Sequence, residues 1–120
     1  MAHLAGWRRA GDTAGRWLLA GLFVGGTVQK LVDPAAAQGL LAGFGLPGWL
    51  IWPAAAASAV GGMALILGLW LGPVALMLAA YCVVTSIFHL IPDDPWQMSI
   101  FVKNWAIAGG LLVLASTRPD

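Results

Sequence analysis

Between Asp33 and Asp93 the chain contains no aspartate, glutamate, lysine or arginine. A water-facing surface cannot be built from such a stretch, because soluble domains draw about a quarter of their residues from the charged set. Here the charged fraction of the whole chain is 9%, against 60% hydrophobic. In hydrocarbon every backbone polar group must be satisfied internally, and apolar runs of this length satisfy theirs as helices. The expectation is an all-α integral membrane protein, a four-helix bundle forming a single domain over residues 1–120. A net charge of +1 gives no reason to expect a nucleic-acid partner. The single cysteine, Cys82, excludes an internal disulfide and a CxxC dithiol.

Four spans are predicted, at about residues 14–32, 50–71, 73–91 and 96–116. Each is long enough to cross roughly 30 Å of hydrocarbon at about 1.5 Å per residue, allowing for tilt. Gly72–Pro73 reads as the break between the second and third spans, and "IPDDP" as a tight loop before the fourth. The segment "PAAAQGLLAGFGLPG", residues 34–48, is too short and too glycine-rich to span, and reads as a short interfacial helix between the first two spans. The first span with its basic lead-in and the "AAAQ" that follows has features of a cleavable signal peptide, but Lys30 and Asp33 interrupt the approach to the cleavage site.

Basic residues set the orientation. Arg8, Arg9, Arg16 and Arg118 fall at one end of such a bundle, and Lys30 and Lys103 towards the other with Asp33, Asp93 and Asp94. Four against two places both termini in the cytoplasm. Tryptophans mark the two interfaces: Trp17 and Trp70 at one, Trp49, Trp52, Trp96 and Trp105 at the other. GxxxG-type spacings at Gly21/Gly25, Ala54/Ser58/Gly62 and Ala106/Gly110 predict close helix packing within the chain.

The polar groups collect at the outer end. Lys30 closes the first span, His89 closes the third, and Lys103 and Asn104 lie about two turns into the fourth. Cys82, Thr85, Ser86 and His89 follow i, i+3, i+4, i+7 spacing and share one helical face, which in a membrane turns towards the bundle interior. Lys30, His89, Lys103, Asn104, Ser86 and Asp33 are therefore the candidate polar pocket. The plain structural account is that Lys30 snorkels, Lys103 pairs with Asp93 or Asp94, and the hydroxyls bond carbonyls of their own helix. No metal site is expected.

In order and spacing these residues resemble the DoxX family of small four-helix membrane proteins. The resemblance rests on Arg16, the "GLF" at Gly21 continued to Lys30, "DP" at Asp33–Pro34, "GLP" at Gly45, "GG" at Gly61 with "LILGL" after it, His89, and "KNWAI" from Lys103. It runs from about Arg16 to Leu114. Some members of that family look like subunits of quinone-linked or sulfur-linked membrane oxidoreductases, so the resemblance suggests redox work without establishing it; the expected localisation is a bacterial-type inner membrane. Many relatives carry a glutamate three residues before the paired glycines, where this chain has Ser58.

Three functions compete. In the first, the chain is an accessory or anchoring subunit of a membrane redox complex, with the lipid bilayer and a membrane protein as partners. It has no intrinsic cofactor, and a quinone is the ligand its polar pocket suits: His89 donates to a carbonyl and Lys103 stabilises charge on oxygen. One intramembrane histidine and one cysteine hold neither haem nor cluster, so any catalysis belongs to an oxidoreductase of which the chain is one part. In the second it is a small transporter or channel. That reading lacks a carboxylate in the membrane, because Asp12, Asp33, Asp93, Asp94 and Asp120 all fall outside the expected spans and glutamate is absent. In the third it is a purely structural membrane subunit.

Overall fold

The computed structural model describes residues 2–118, and the side chains of residues 6–118. Asp120 lies outside the described residues. Among them every regular element is helical: α1 (Ala2–Val32), α2 (Pro34–Ala42), α3 (Ile51–Leu67), α4 (Leu71–Ser86) and α5 (Pro95–Ser116), with 3-10 turns at Gly48–Leu50 and Ile87–His89. Three helical stretches are long and apolar enough to cross a membrane: Gly48–Leu67, Leu71–His89 and Pro95–Ser116. The outside of the fold carries Leu18, Val60, Met63, Met77, Val84 and Val102, so lipid is the solvent that suits it. The long helix α1 is not among those three. Its apolar stretch is confined between Arg16 and the Gln29–Lys30 pair.

The helix ends follow local chemistry. Pro34 and Pro95 each open a helix in its first turn, where no amide hydrogen is needed. Asp94 caps α5, its Oδ1 accepting from the backbone N–H groups of Trp96 at 3.0 Å and Gln97 at 3.2 Å. Such a cap is worth about 0.5–2 kcal/mol. The expected break at Gly72–Pro73 is displaced. α3 ends at Gly68, which takes the left-handed region at φ 75°, and Leu69 donates back to the Ala64 carbonyl at 3.0 Å. Trp70 is also left-handed at φ 47°, so the chain reverses within Gly68–Trp70. Pro73 then falls inside the first turn of α4, where it breaks nothing.

α1 packs along α3, and α4 along α5, while a smaller α3–α4 contact joins the two pairs. The core runs through Ala20, Phe23, Leu65, Leu78, Cys82, Ala108 and Leu111. Small residues make close approach possible in α3: a Cβ on Gly61 would lie 2.6 Å from Leu78 Cδ2, and one on Gly62 would lie 3.1 Å from Val24 Cγ2. The other two predicted seams are not internal. A Cβ on Gly21, Gly25 or Gly110 would meet nothing within 4 Å, and Ala106 is exposed. The reason is the pairing itself: α1 and α5 do not pack along their length, so small residues on these faces meet no helix of the same chain.

Candidate functional site

The six predicted site residues lie at the end of the molecule where α1 finishes and α5 starts. Among the described residues no hydrogen bond or ion pair joins any two of them. Lys30 is half-buried, and its Nζ lies 3.8 Å from where a Cβ on Gly26 would stand. The ammonium thus reaches back along α1, the direction in which helical side chains lean. Asp33 and Lys103 are exposed, Asn104 is half-buried, and Ser86 is buried with its hydroxyl donating to the Val83 carbonyl at 2.6 Å. Lys103 forms no ion pair with Asp93 or Asp94, and Asp94 is engaged at the α5 cap.

His89 has a partner that the sequence reading missed. Its Nδ1 lies 2.6 Å from Oε1 of Gln97, in the first turn of α5. With the Gln97 oxygen turned to the ring, the contact is a hydrogen bond donated by Nδ1–H; in the tautomer that makes it, Nε2 is the acceptor. The helical turn at Ile87–His89 is braced from outside by Phe44, whose ring meets that of Phe88 edge-on at 5.3 Å. The segment after α2 thus covers the His89 turn. A polar residue at the start of the neighbouring helix was the available signal for Gln97.

Deeper in the bundle, Ser58 donates to the phenolic oxygen of Tyr81 at 3.2 Å, linking α3 to α4. Ser58 is buried, and Tyr81 also stacks at a tilt on Phe23, with centroids 6.4 Å apart. Thr27 on α1 has its one O–H between two carbonyls, that of Phe23 at 3.0 Å in its own helix and that of Ala55 at 3.2 Å in α3. These hydroxyls tie three helices together without a charge.

The opposite end holds an ion cluster that the sequence suggested only as an interface marker. Asp12 accepts from Arg16 Nε at 3.1 Å and from Arg118 Nη2. Arg16 Nη1 also donates to the Leu65 carbonyl at 2.5 Å, at the end of α3. Above the cluster α1 and α5 diverge around a cleft of about 560 Å³, walled by Leu18, Leu22, Ile107 and Val113, with Gly15 and Gly110 leaving it open.

The DoxX family profile matches residues 11–91, from just before the Asp12–Arg16 pair to just beyond His89. α5, with Gln97, Lys103 and Asn104, lies outside that match. "Inner membrane protein YqjF" of Escherichia coli (strain K12) is 29% identical over 110 residues, which cover 91% of this chain and 85% of that protein. No solved structure matches the chain. The family match covers α1 from residue 11 and all of α2, α3 and α4, over half of the chain, so the chain is a membrane protein that belongs to the DoxX family.

Proposed function

We propose that this chain is an accessory or anchoring subunit in a bacterial inner membrane, holding the membrane-embedded part of a quinone-linked redox complex. The observation that carries the proposal is Lys103. It lies about two turns into an apolar helix, is exposed, and has no carboxylate or hydrogen-bond partner among the described residues. An ionised side chain within a span is rare and normally faces protein or a polar cavity. A neighbouring subunit that covers α5 at the level of Lys103, above the turn at Ile107, gives the ammonium such an environment. In this reading α1 is the fourth crossing, with Arg16 at one end of its apolar stretch and Lys30, its ammonium leaning back along the helix, at the other.

A quinone-type ligand suits the same end in a specific protonation sense. With Nδ1 donating to Gln97, neutral His89 offers a lone pair and accepts the hydroxyl hydrogen of a quinol, where the sequence reading had it donating to a carbonyl. Lys103 would stabilise negative charge on the same oxygen as the proton leaves. The second hydroxyl proton and both electrons leave on the partner's side, the electrons to its flavin or iron–sulfur centre as the two-electron acceptor.

The test is co-purification from host membranes in a mild detergent, comparing wild type with Lys103→Met. Methionine keeps the apolar stem and removes the charge. Wild type is expected to bring down a flavin- or iron-sulfur-containing protein, and the variant to elute alone with unchanged helicity. A wild-type chain that elutes alone and inert would overturn the proposal in favour of a purely structural bundle.

A further inference from the structure

We infer that the groove between α1 and α5 is a binding site for an anionic phospholipid, with its phosphate on Arg118 at the Asp12–Arg16 end and one acyl chain running up between the helices. Three observations converge on an amphiphile of that shape.

The groove is open because its walls do not meet. α1 and α5 lack lengthwise packing, and Gly11, Gly15 and Gly110 present no side chain into the gap. At about 560 Å³ it falls within the range of small-molecule sites. Its length is that of a single leaflet: Thr117 to Ile107 on α5 rises about 15 Å, half of the roughly 30 Å hydrocarbon core. Lys103 lies one further turn up the same face, beyond the reach of that chain, so the site stands independently of the subunit proposal.

The charged end has donors to spare. Two arginines meet one carboxylate, leaving a formal +1 at Asp12, Arg16 and Arg118. Arg16 is committed to Asp12 and to the α3 carbonyls. Arg118 stands at the mouth of the groove beside its lining residue Thr117; it gives one Nη2 N–H to Asp12, its side chain is still partly exposed, and only its Nε is buried out of a ligand's reach. A guanidinium presents its exposed N–H donors in a planar fork that matches phosphate oxygens. A phosphate at this position satisfies the fork, and basic pockets between membrane helices bind anionic head groups in this manner. A second protein helix would instead lay apolar surface over the excess positive charge of the ion cluster.

The probe is dioleoylphosphatidylglycerol against dioleoylphosphatidylcholine, presented to the full chain in a neutral detergent. Native mass spectrometry counts retained lipid. The wild type should retain phosphatidylglycerol at least fivefold over phosphatidylcholine, and inorganic phosphate should not compete. Arg118→Gln should abolish the preference while Arg9→Gln, at the same end but outside the cleft, keeps it. Gly110→Leu fills the groove at a position with free space around it and should lower retention of both lipids about fivefold. Equal retention of the two lipids by wild type would overturn the headgroup assignment, and unchanged retention in Gly110→Leu would overturn the seat. Cross-linking of Gly110→Cys chains into dimers would assign the groove to a second copy.

Discussion

Arg16 joins the first long helix to the end of the next one, donating from Nη1 to the carbonyl oxygen of Leu65 at 2.5 Å. That carbonyl belongs to the last turn of α3, where the helix has no N–H left to offer: Gly68 and Leu69 both turn back to Ala64. The same guanidinium lies against Gly68, 3.5 Å from where a Cβ would stand. Arg16→Met is expected to remove a charged hydrogen bond to an otherwise orphaned carbonyl, lowering stability by about 1.5–3 kcal/mol. Asp12→Asn disturbs only a partly exposed ion cluster, so its expected loss is under about 1 kcal/mol. Unfolding in mixed SDS and dodecylmaltoside micelles measures both. An Arg16→Met variant as stable as wild type would show that water or lipid caps α3 equally well.

The glycines divide by what faces them. Gly61→Ala places a methyl carbon 2.6 Å from Cδ2 of Leu78, itself 1% exposed and unable to swing into free space. Overpacking of this kind costs about 1–3 kcal/mol, partly offset by about 1 kcal/mol of helix propensity. The expected net loss is roughly 0–2 kcal/mol, relieved when Leu78→Val is added. Gly21→Ala and Gly25→Ala meet nothing, and each should leave the isolated chain as stable or up to about 1 kcal/mol more stable. The same micelle titration separates the two groups. A Gly21→Ala loss as large as that of Gly61→Ala would mean that the α1 face is packed in solution, as between copies.

These contrasts mark what the amino-acid order discloses. Hydropathy and the Pro and Gly punctuation located the helices and put Lys30, His89 and Lys103 at one end, because those signals are local. The GxxxG spacing at Gly21 and Gly25 identified a face but not its neighbour, which depends on α1 pairing with α3 and leaving α5. Arg16 looked like an interface residue because its role rests on a carbonyl 49 positions away. Gln97 escaped notice for a related reason, since its meaning comes from where the turn at Ile87–His89 meets the first turns of α5. The reversal at Gly68–Trp70 was hidden by a tryptophan in the left-handed region, which residue preference disfavours.

The His89–Gln97 bond makes a statement about a proton. Nitrogen NMR of the histidine-labelled protein, with His3 replaced by asparagine to leave one signal, should show a neutral ring protonated at Nδ1 and bare at Nε2. Gln97→Leu removes the acceptor and should abolish that preference. An Nε2–H ring in wild type would mean that Gln97 presents its NH₂ group instead, and would withdraw the proton-accepting role proposed for His89.

Orientation is the last expectation and the one on which the leaflet of every site depends. Arg8, Arg9, Arg16 and Arg118 lie at one end of the molecule, and Lys30 and Lys103 lie towards the other. Positive residues flanking spans are retained in the cytoplasm, so the Asp12–Arg16–Arg118 cluster is expected on the inner side and the Asp93–Asp94 turn outside. Labelling of introduced cysteines with an impermeant maleimide on intact cells tests this. Cys82 is buried, and Cys82→Ala removes it from the background. The outer probe belongs at Asp93, because Asp94 caps α5 and replacing it would disturb the helix start being reported on. The inner probe belongs at Thr117, which is exposed. Labelling at position 93 and protection at 117 until the membrane is opened would place His89 and Lys103 in the outer leaflet and the phospholipid groove in the inner one. The reverse pattern would exchange the two leaflets and require the redox partner to approach Lys103 from the cytoplasmic side.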